Sequence, residues 1–360
     1  MKDSSGPWLS ILLPVYNVES YLSECIHSIV QQASDDAGIE IIIVDDGSTD
    51  GSRGLAERLC AQFSQQLKLV CHIRNLGVSA ARNRLLDEAR GKFVWFIDPD
   101  DYILTGAIEK LRSVVGRHDP DMILCDYRKN RFWKRRAFFG PARRLSDDKR
   151  QLIRGVFKSR KMYCCVRVSK RLIWGDDLRF PVGRVFEDIA TTPLLLLRTK
   201  NFYYIPEPWV HYRQRRGSIM DSVKRQPDVF DEMKHHDLAR ALLGYKDQLN
   251  KCLISRDASI DYYVADYCAK EFTKTAIRMM RAQQDDLASI SMPERMTKLC
   301  SLWEACSPIS FEQLTGHYLK RLRLVRYLML HYFLLKSLPA AGLEHSDMPT
   351  VLLMGLPRSK

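Results

Sequence analysis

The 360-residue chain holds ten cysteines but no C-x-x-C pair and no other cysteine spacing suited to zinc. That excludes a zinc module, and the scattered thiols, with Cys164 and Cys165 adjacent, favour a reduced cytosolic setting over a disulfide scaffold. The lead-in Met1-Lys2-Asp3-Ser4-Ser5-Gly6 is polar, so no signal peptide is expected. No apolar run reaches the roughly 20 residues that a membrane-spanning helix needs. Neither G-x-x-x-x-G-K-[ST] nor G-x-G-x-x-G follows the first apolar segment, which removes the P-loop and dinucleotide-binding folds. Internal repeats and low-complexity tracts are also missing.

Acid is scarce in one stretch only. Residues 127–216 carry 24 Lys+Arg against 7 Asp+Glu, whereas residues 1–126 carry 12 against 19 and residues 217–360 carry 20 against 17. An acidic first third able to hold a metal, followed by a basic middle, suits an enzyme that handles metal-bound, phosphate-bearing ligands. No helix-turn-helix, zinc or RNA-binding signature accompanies the charge, so nucleic acid is not an expected partner.

Hydrophobic residues make up 46% of the chain, enough for a substantial core. Strands are expected at Leu9–Pro14, Ile39–Val44, Lys68–Ile73, Phe93–Ile97 and Met122–Cys125, with amphipathic helices between them. Runs such as Ile41-Ile42-Ile43-Val44 imply strands covered on both faces, hence an α/β fold with a mainly parallel sheet. A later strand is expected at Tyr203–Ile205, ending at Pro206-Glu207-Pro208. Beyond about residue 222 the pattern turns helical, including one long helix over Phe311–Leu338. The expected division is a catalytic domain over 1–220 (nucleotide-binding over 1–126, acceptor-binding over 127–220) and a helical region over 221–360.

In such folds ligands gather at the carboxyl ends of the strands. Polar clusters stand at three of these ends: Pro14-Val15-Tyr16-Asn17, Asp45-Asp46-Gly47-Ser48-Thr49-Asp50 and Asp98-Pro99-Asp100-Asp101. Residues two apart in an extended segment share a face, so Asp98 and Asp100 can aim at one point, and their oxygens suit Mg²⁺ or Mn²⁺. The alternative for this cluster is a polar loop in which Asp101 caps the next helix. Asp46 reads as a ligand-facing carboxylate in a turn whose Ser48 or Asp50 caps a helix. Glu187-Asp188 reads either as a catalytic pair or as the N-cap of a helix through Thr191–Leu197.

Ser10-Ile11-Leu12-Leu13-Pro14-Val15-Tyr16-Asn17, Val44-Asp45-Asp46-Gly47-Ser48-Thr49-Asp50-Gly51, Asn75-Leu76-Gly77-Val78-Ser79-Ala80-Ala81-Arg82-Asn83 and Phe96-Ile97-Asp98-Pro99-Asp100-Asp101 occur in that order. Together they resemble the family 2 glycosyltransferases, inverting enzymes of the Rossmann-like GT-A fold that use nucleotide-sugar donors. Glu187-Asp188 and His211–Ser218 extend the resemblance to about residue 218. It implies a UDP-type donor, with Pro14 and Tyr16 lining the base pocket, Asp46 bonding the base and Arg82 near the nucleotide. Asp98 would reach the ribose or the metal, Asp100 would bind a Mn²⁺ or Mg²⁺ ion, and His211 would be an additional metal ligand. Arg213 and Ser218 would clamp the diphosphate. Asp188 matches the family's catalytic base, with Glu187 beside it on the acceptor side. The acceptor would be a hydroxyl of a glycan or lipid-linked saccharide in surface polysaccharide synthesis. The alternatives are a sugar-phosphate nucleotidyltransferase, which should carry a glycine- and arginine-rich loop where residues 14–19 read Pro-Val-Tyr-Asn-Val-Glu, and a non-catalytic glycan-binding relative.

Two further segments suggest an anionic membrane surface as a partner, placing the protein peripherally on the inner face of the plasma membrane. Arg128–Arg144 mixes eight Lys/Arg with Phe132, Trp133, Phe138 and Phe139, and Tyr318–Leu338 carries cations and apolar residues without acids. The alternative for the second is a core helix of a C-terminal bundle.

Overall fold

Seven consecutive buried residues, Leu9–Val15, form strand β1. A strand with no exposed position needs cover on both faces, which is why its sequence does not alternate. In the computed structural model, residues 6–33, 36–130, 133–184, 186–214, 237–253, 255–281 and 291–337 are described. By contacts the chain forms two units, Met1–Ser222 with Asp247–Ser255, and Val223–Lys246 with Arg256–Lys360.

The first unit alternates strands and helices: α1 (Glu19–Ala33), β2 (Ile39–Asp45), α2 (Ser52–Gln62), β3 (Leu67–Cys71), α3 (Val78–Glu88), β4 (Phe93–Phe96), β5 (Tyr102–Ile103) and α4 (Ala107–His118). It continues with β6 (Met122–Asn130), β7 (Trp133–Arg135), β8 (Leu145–Ser146), α5 (Lys149–Ser159), β9 (Arg167–Lys170), α6 (Glu187–Arg198) and β10 (Phe202–His211). The sheet order is β3-β2-β1-β4-β9-β6-β10-β5, with β7 and β8 paired to β6 and β10. Strands β3, β2, β1 and β4 are mutually parallel. Strand β9 runs against both β4 and β6, and β10 is parallel to β6. This is the mixed, centrally parallel α/β sheet of a GT-A fold.

Helix α1 shows how a layer is added. Its buried residues Leu22, Cys25, Ile26, Ile29, Val30 and Ala33 recur at the three-to-four spacing of one helical face. In the sheet core Trp95 meets Trp209 edge to face, 6.0 Å between centroids, and donates its indole N–H to the Cys165 carbonyl at 2.8 Å. The segment 247–255 also belongs to this unit, where Arg150 Nη2 donates to Ser255 Oγ at 2.7 Å.

Topology decides where the polar clusters go. Strands β1, β2, β4 and β10 share one direction, so Tyr16, Asp46, Asp98 and His211 all follow or end strands at the same edge. Strand β9 is antiparallel, so the residues just before it, the 3-10 turn Cys164–Val166, reach that edge as well.

Several expectations are corrected here. Strand β10 does not stop at Pro206-Glu207-Pro208 but runs to His211, with register shifts at Ile205/Pro208 and Pro208/Val210 that absorb the prolines as bulges. Phe138, expected on a basic aromatic arm, is fully buried against Phe202 and Tyr204, while Trp133 is exposed; Phe132 lies outside the described residues.

The second unit is helical, with helices Ala258–Arg281, Met292–Cys306, Phe311–Lys320 and Leu324–Lys336. Capping boxes start two of them, Ser291 with Glu294 and Ser310 with Gln313. The single helix expected over Phe311–Leu338 is broken at Arg321–Arg323, where Leu322 takes φ 53°; Leu338 lies outside the described residues. The break is anchored by buried Asp266, which accepts from Tyr318 Oη at 2.8 Å and pairs with Arg326. Among the described residues no helix is long and apolar enough to cross a membrane.

Gly47, in the turn after β2, has φ +68°, and a Cβ there would lie 2.5 Å from the backbone carbon of Arg74. Replacement Gly47→Ala should therefore destabilise the protein by about 2–3 kcal/mol, through left-handed strain and displacement of the β3–α3 loop. A thermal melt indistinguishable from wild type would show that this turn is not under constraint.

Candidate active site

The first wall of the site is a set of loops tied to each other by side chains. Asn17, at φ 51°, accepts through Oδ1 from the Thr49 N–H at 2.8 Å, and Val18 N–H donates to Ser52 Oγ at 2.8 Å. Glu19 N–H donates to Asp50, while Gly51 N–H donates to Glu19, so the starts of α1 and α2 cap one another. Pro14 is buried in β1 opposite Val44. Tyr16, one residue past the strand, is 41% exposed and free to present its ring. Asp46 was expected to face a ligand, yet its carboxylate is buried. It accepts from His72 Nδ1 (2.7 Å), Leu76 N–H (3.0 Å) and Gly77 N–H (2.8 Å). Its work in this structure is to hold the loop that launches α3.

From the second turn of α3 comes Arg82, buried against the edge-to-face pair of Phe96 and Phe180 rings. Its Nη2 donates to Asp98 Oδ1 at 2.9 Å. Its Nη1 lies 2.6 Å from both Glu187 Oε1 and Asp188 Oδ1. Burial works against the charged guanidinium, but Asp188 and Glu187 outweigh it and hold the group firmly protonated. One cation thus gathers three carboxylates from two separate regions of the chain, and it leaves them with excess negative charge. Burial, partly offset by Arg82, pushes Asp98 up to about 6, and it pushes Glu187 up to about 7.

Glu187 and Asp188 occupy the first turn of α6, where the helix macrodipole favours anions. They are not its N-cap. That position falls on Phe186, whose φ of 65° is rare for a bulky residue and turns the chain sharply into the pair. Asp188 also receives the Cys164 thiol at Oδ1 (2.7 Å) and the Cys164 N–H at Oδ2 (3.4 Å).

The acidic turn after β4 is closed by the Asp101 N–H to the Asp98 carbonyl at 2.9 Å. Strand β5 follows it, not a helix, so Asp101 is no helix cap. Its Oδ1 accepts from the Arg213 N–H at 2.7 Å, and its buried Oδ2 has no hydrogen-bond partner among the described residues. Burial and the charges of Asp98 and Asp100 raise its pKa well above the ordinary carboxylate range.

Ligand atoms of Asp98, Asp101 and Cys165 lie within 4.8 Å of one another, and this is the metal-type cluster found among the described residues. The expected trio Asp98, Asp100 and His211 is not preassembled. His211 stacks on Tyr102 at 4.5 Å, and burial with Arg213 and Arg128 lowers its pKa, leaving a neutral imidazole. Crowded carboxylates with an orphaned buried oxygen still fit a hard divalent cation. Arg213 packs over Tyr21 and Tyr102 and pairs with Glu24 at 2.9 Å. Ser218 lies outside the described residues.

The family described as Glycosyl transferase family 2 matches residues 10–164, a span that holds Tyr16, Arg82 and the Asp98 turn. These residues form a family 2 glycosyltransferase domain. Glycosyltransferase GlyA of Streptococcus pneumoniae serotype 4 is 26% identical over 77% of this chain, which spans 42% of GlyA's own length. In fold, this domain and the helices after it resemble residues 1–349 of S. aureus TarS in complex with UDP-GlcNAc, with a TM-score of 0.68, 20% identity and coverage of 91% of this chain and 88% of that one. A mannosyltransferase from Pyrobaculum calidifontis in complex with GDP-Man and Mn²⁺ shares the fold more distantly, with a TM-score of 0.51 and 16% identity over 93% of this chain and 87% of that one.

The raised carboxylates carry a pH signature. Both folded-state pKa values lie above those of the unfolded chain, so their stabilising contribution is complete below about pH 4 and is lost as the pH rises through about 6 to 7. Replacement Glu187→Gln removes one of these groups, so the fall in melting temperature between about pH 5 and pH 8 should be shallower than in wild type. An equally steep fall in the variant would contradict the assignment.

Proposed function

We propose that the protein transfers a sugar from a UDP-sugar to a hydroxyl of a surface-glycan acceptor, inverting the anomeric configuration. The observation that carries this reading is Arg82, which holds Asp188 and Asp98 on one guanidinium. The carboxylate assigned here as proton acceptor and the one assigned to the metal thereby share one cation. The fold shared with a UDP-GlcNAc-bound relative supports the donor class. The fold shared with a Mn²⁺-bound mannosyltransferase supports the cation.

The half-exposed Tyr16 ring packs on the nucleobase at the end of β1. Asp98 and Asp100 would hold the divalent ion, with Asp101 close to Asp98, and when bound the ion would supply charge neutralisation for the departing diphosphate. Arg213 is proposed to move from Glu24 to the diphosphate, a low barrier for a partly exposed ion pair. Asp188 takes the acceptor proton as the hydroxyl oxygen bonds to the anomeric carbon and the bond to the diphosphate oxygen breaks. Of its two oxygens, Oδ2 is the less engaged, with one long contact from the Cys164 N–H at 3.4 Å, whereas Oδ1 holds both Arg82 and the Cys164 thiol. Glu187, on the same cation, fixes the approach of the acceptor.

Nucleotide release across UDP- and GDP-sugars with Mn²⁺ tests the donor assignment and should favour UDP. In the same assay Asp188→Asn should lose at least about 100-fold in transfer while still binding donor. Asp100→Ala should instead lose the Mn²⁺-dependent component of donor binding. Full transfer by Asp188→Asn would sink the base assignment.

A further inference from the structure

Asp188 is held by more than arginine. Cys164 opens the 3-10 turn before β9 and brings two donors to the carboxylate, its thiol at 2.7 Å from Oδ1 and its N–H at 3.4 Å from Oδ2. The thiol is almost wholly buried. At 2.7 Å from a carboxylate oxygen the thiol acts as an S–H donor to it. Behind it Arg167 fixes the turn, donating through Nη1 to the Tyr163 carbonyl at 2.5 Å and through Nη2 to the Lys161 carbonyl. The 3-10 turn is therefore a rigid shelf rather than a loose loop.

We propose that Cys164 is a positioning residue for the sugar-transfer step: its thiol and backbone N–H hold the Asp188 carboxylate in the one orientation that turns Oδ2 toward the acceptor. The inference rests on the reading of Asp188 as the base. Arg82 alone does not fix that orientation. It contacts Oδ1 by a single nitrogen shared with Glu187, which leaves the carboxylate free to rotate about its Cβ–Cγ bond. The Cys164 donors, one to each oxygen, remove that freedom. A thiol suits the place because it tolerates burial and donates only weakly to the carboxylate. A serine hydroxyl, on a shorter bond, can make the same contact. An alanine cannot.

The test is steady-state kinetics on the full chain with a UDP-sugar and Mn²⁺, comparing wild type, Cys164→Ala, Cys164→Ser and Asp188→Asn, with melting temperatures alongside. Cys164→Ala should lower kcat about 10-fold, the loss expected for one orienting hydrogen bond, with donor KM within about 2-fold of wild type. Cys164→Ser should restore kcat to within about 3-fold of wild type. A purely structural cysteine would instead lower the melting temperature and shift KM and kcat together in both variants, and that result overturns the proposal. So does a Cys164→Ala enzyme with wild-type kcat alongside an inactive Asp188→Asn, which removes the cysteine's role and leaves the base intact. An active Asp188→Asn overturns the base reading itself, and the cysteine's role falls with it.

Discussion

The Arg82 guanidinium joins residues that lie 16 and 106 positions away in sequence, Asp98 and Asp188, and adds Glu187 on the same nitrogen as Asp188. A buried cation with one anion is already expensive to desolvate, and one with three anions is stable only if all of them are well placed. The loops around it are built accordingly. Asp46 pins the start of α3 so that Arg82 emerges at a fixed depth, the Phe96 and Phe180 rings pack against the guanidinium, and the left-handed Phe186 delivers Glu187 and Asp188 to it. Remove the cation and the same pocket holds three carboxylates in mutual repulsion.

Excess negative charge is also what makes the site receptive. Asp98, Asp101 and Glu187 are all pushed above the ordinary carboxylate range by burial, and Arg82 offsets only a fraction of that for Asp98 and Glu187. A divalent cation at the Asp98 turn would relieve the repulsion there. Stability and ligand affinity are thus coupled through the same groups, as is common where a site stores unfavourable electrostatics until its ligand arrives. The sheet topology makes the coupling short-ranged, since parallel strands send Tyr16, Asp46 and Asp98 to one edge and antiparallel β9 returns Cys164 to it.

Much of this was legible in the sequence, and for physical reasons. Fully buried parallel strands read as continuous apolar runs, so β1, β2 and β4 stand out, and the acids at their ends mark the working edge. What escaped was mostly contact across long separations. That Arg82 meets Asp188 depends on where α3 and α6 pack, and no local pattern encodes it. Cys164 looked like one of ten ordinary thiols until β9 placed it against Asp188. A helix cap is the alternative reading of Asp101, because acids before helices often are caps, but β5 intervenes and its carboxylate binds the Arg213 backbone instead. Prolines in Pro206-Glu207-Pro208 argued for a strand end, and bulges absorbed them. The break at Leu322 went unseen because its residues keep a helical composition, and a buried Asp266 elsewhere in the unit holds the turn.

The central claim is that one guanidinium holds the base and the metal-side carboxylate in working register. Lysine keeps the charge of Arg82 but offers a single point where the guanidinium spans three carboxylates. Measuring sugar transfer by Arg82→Lys at saturating UDP-sugar and Mn²⁺ therefore tests the claim most directly. The account predicts a fall in kcat of about 100-fold or more with the protein still folded and donor still bound, because the carboxylates lose their mutual geometry. Transfer within about 2-fold of wild type would show that charge alone suffices and would contradict it.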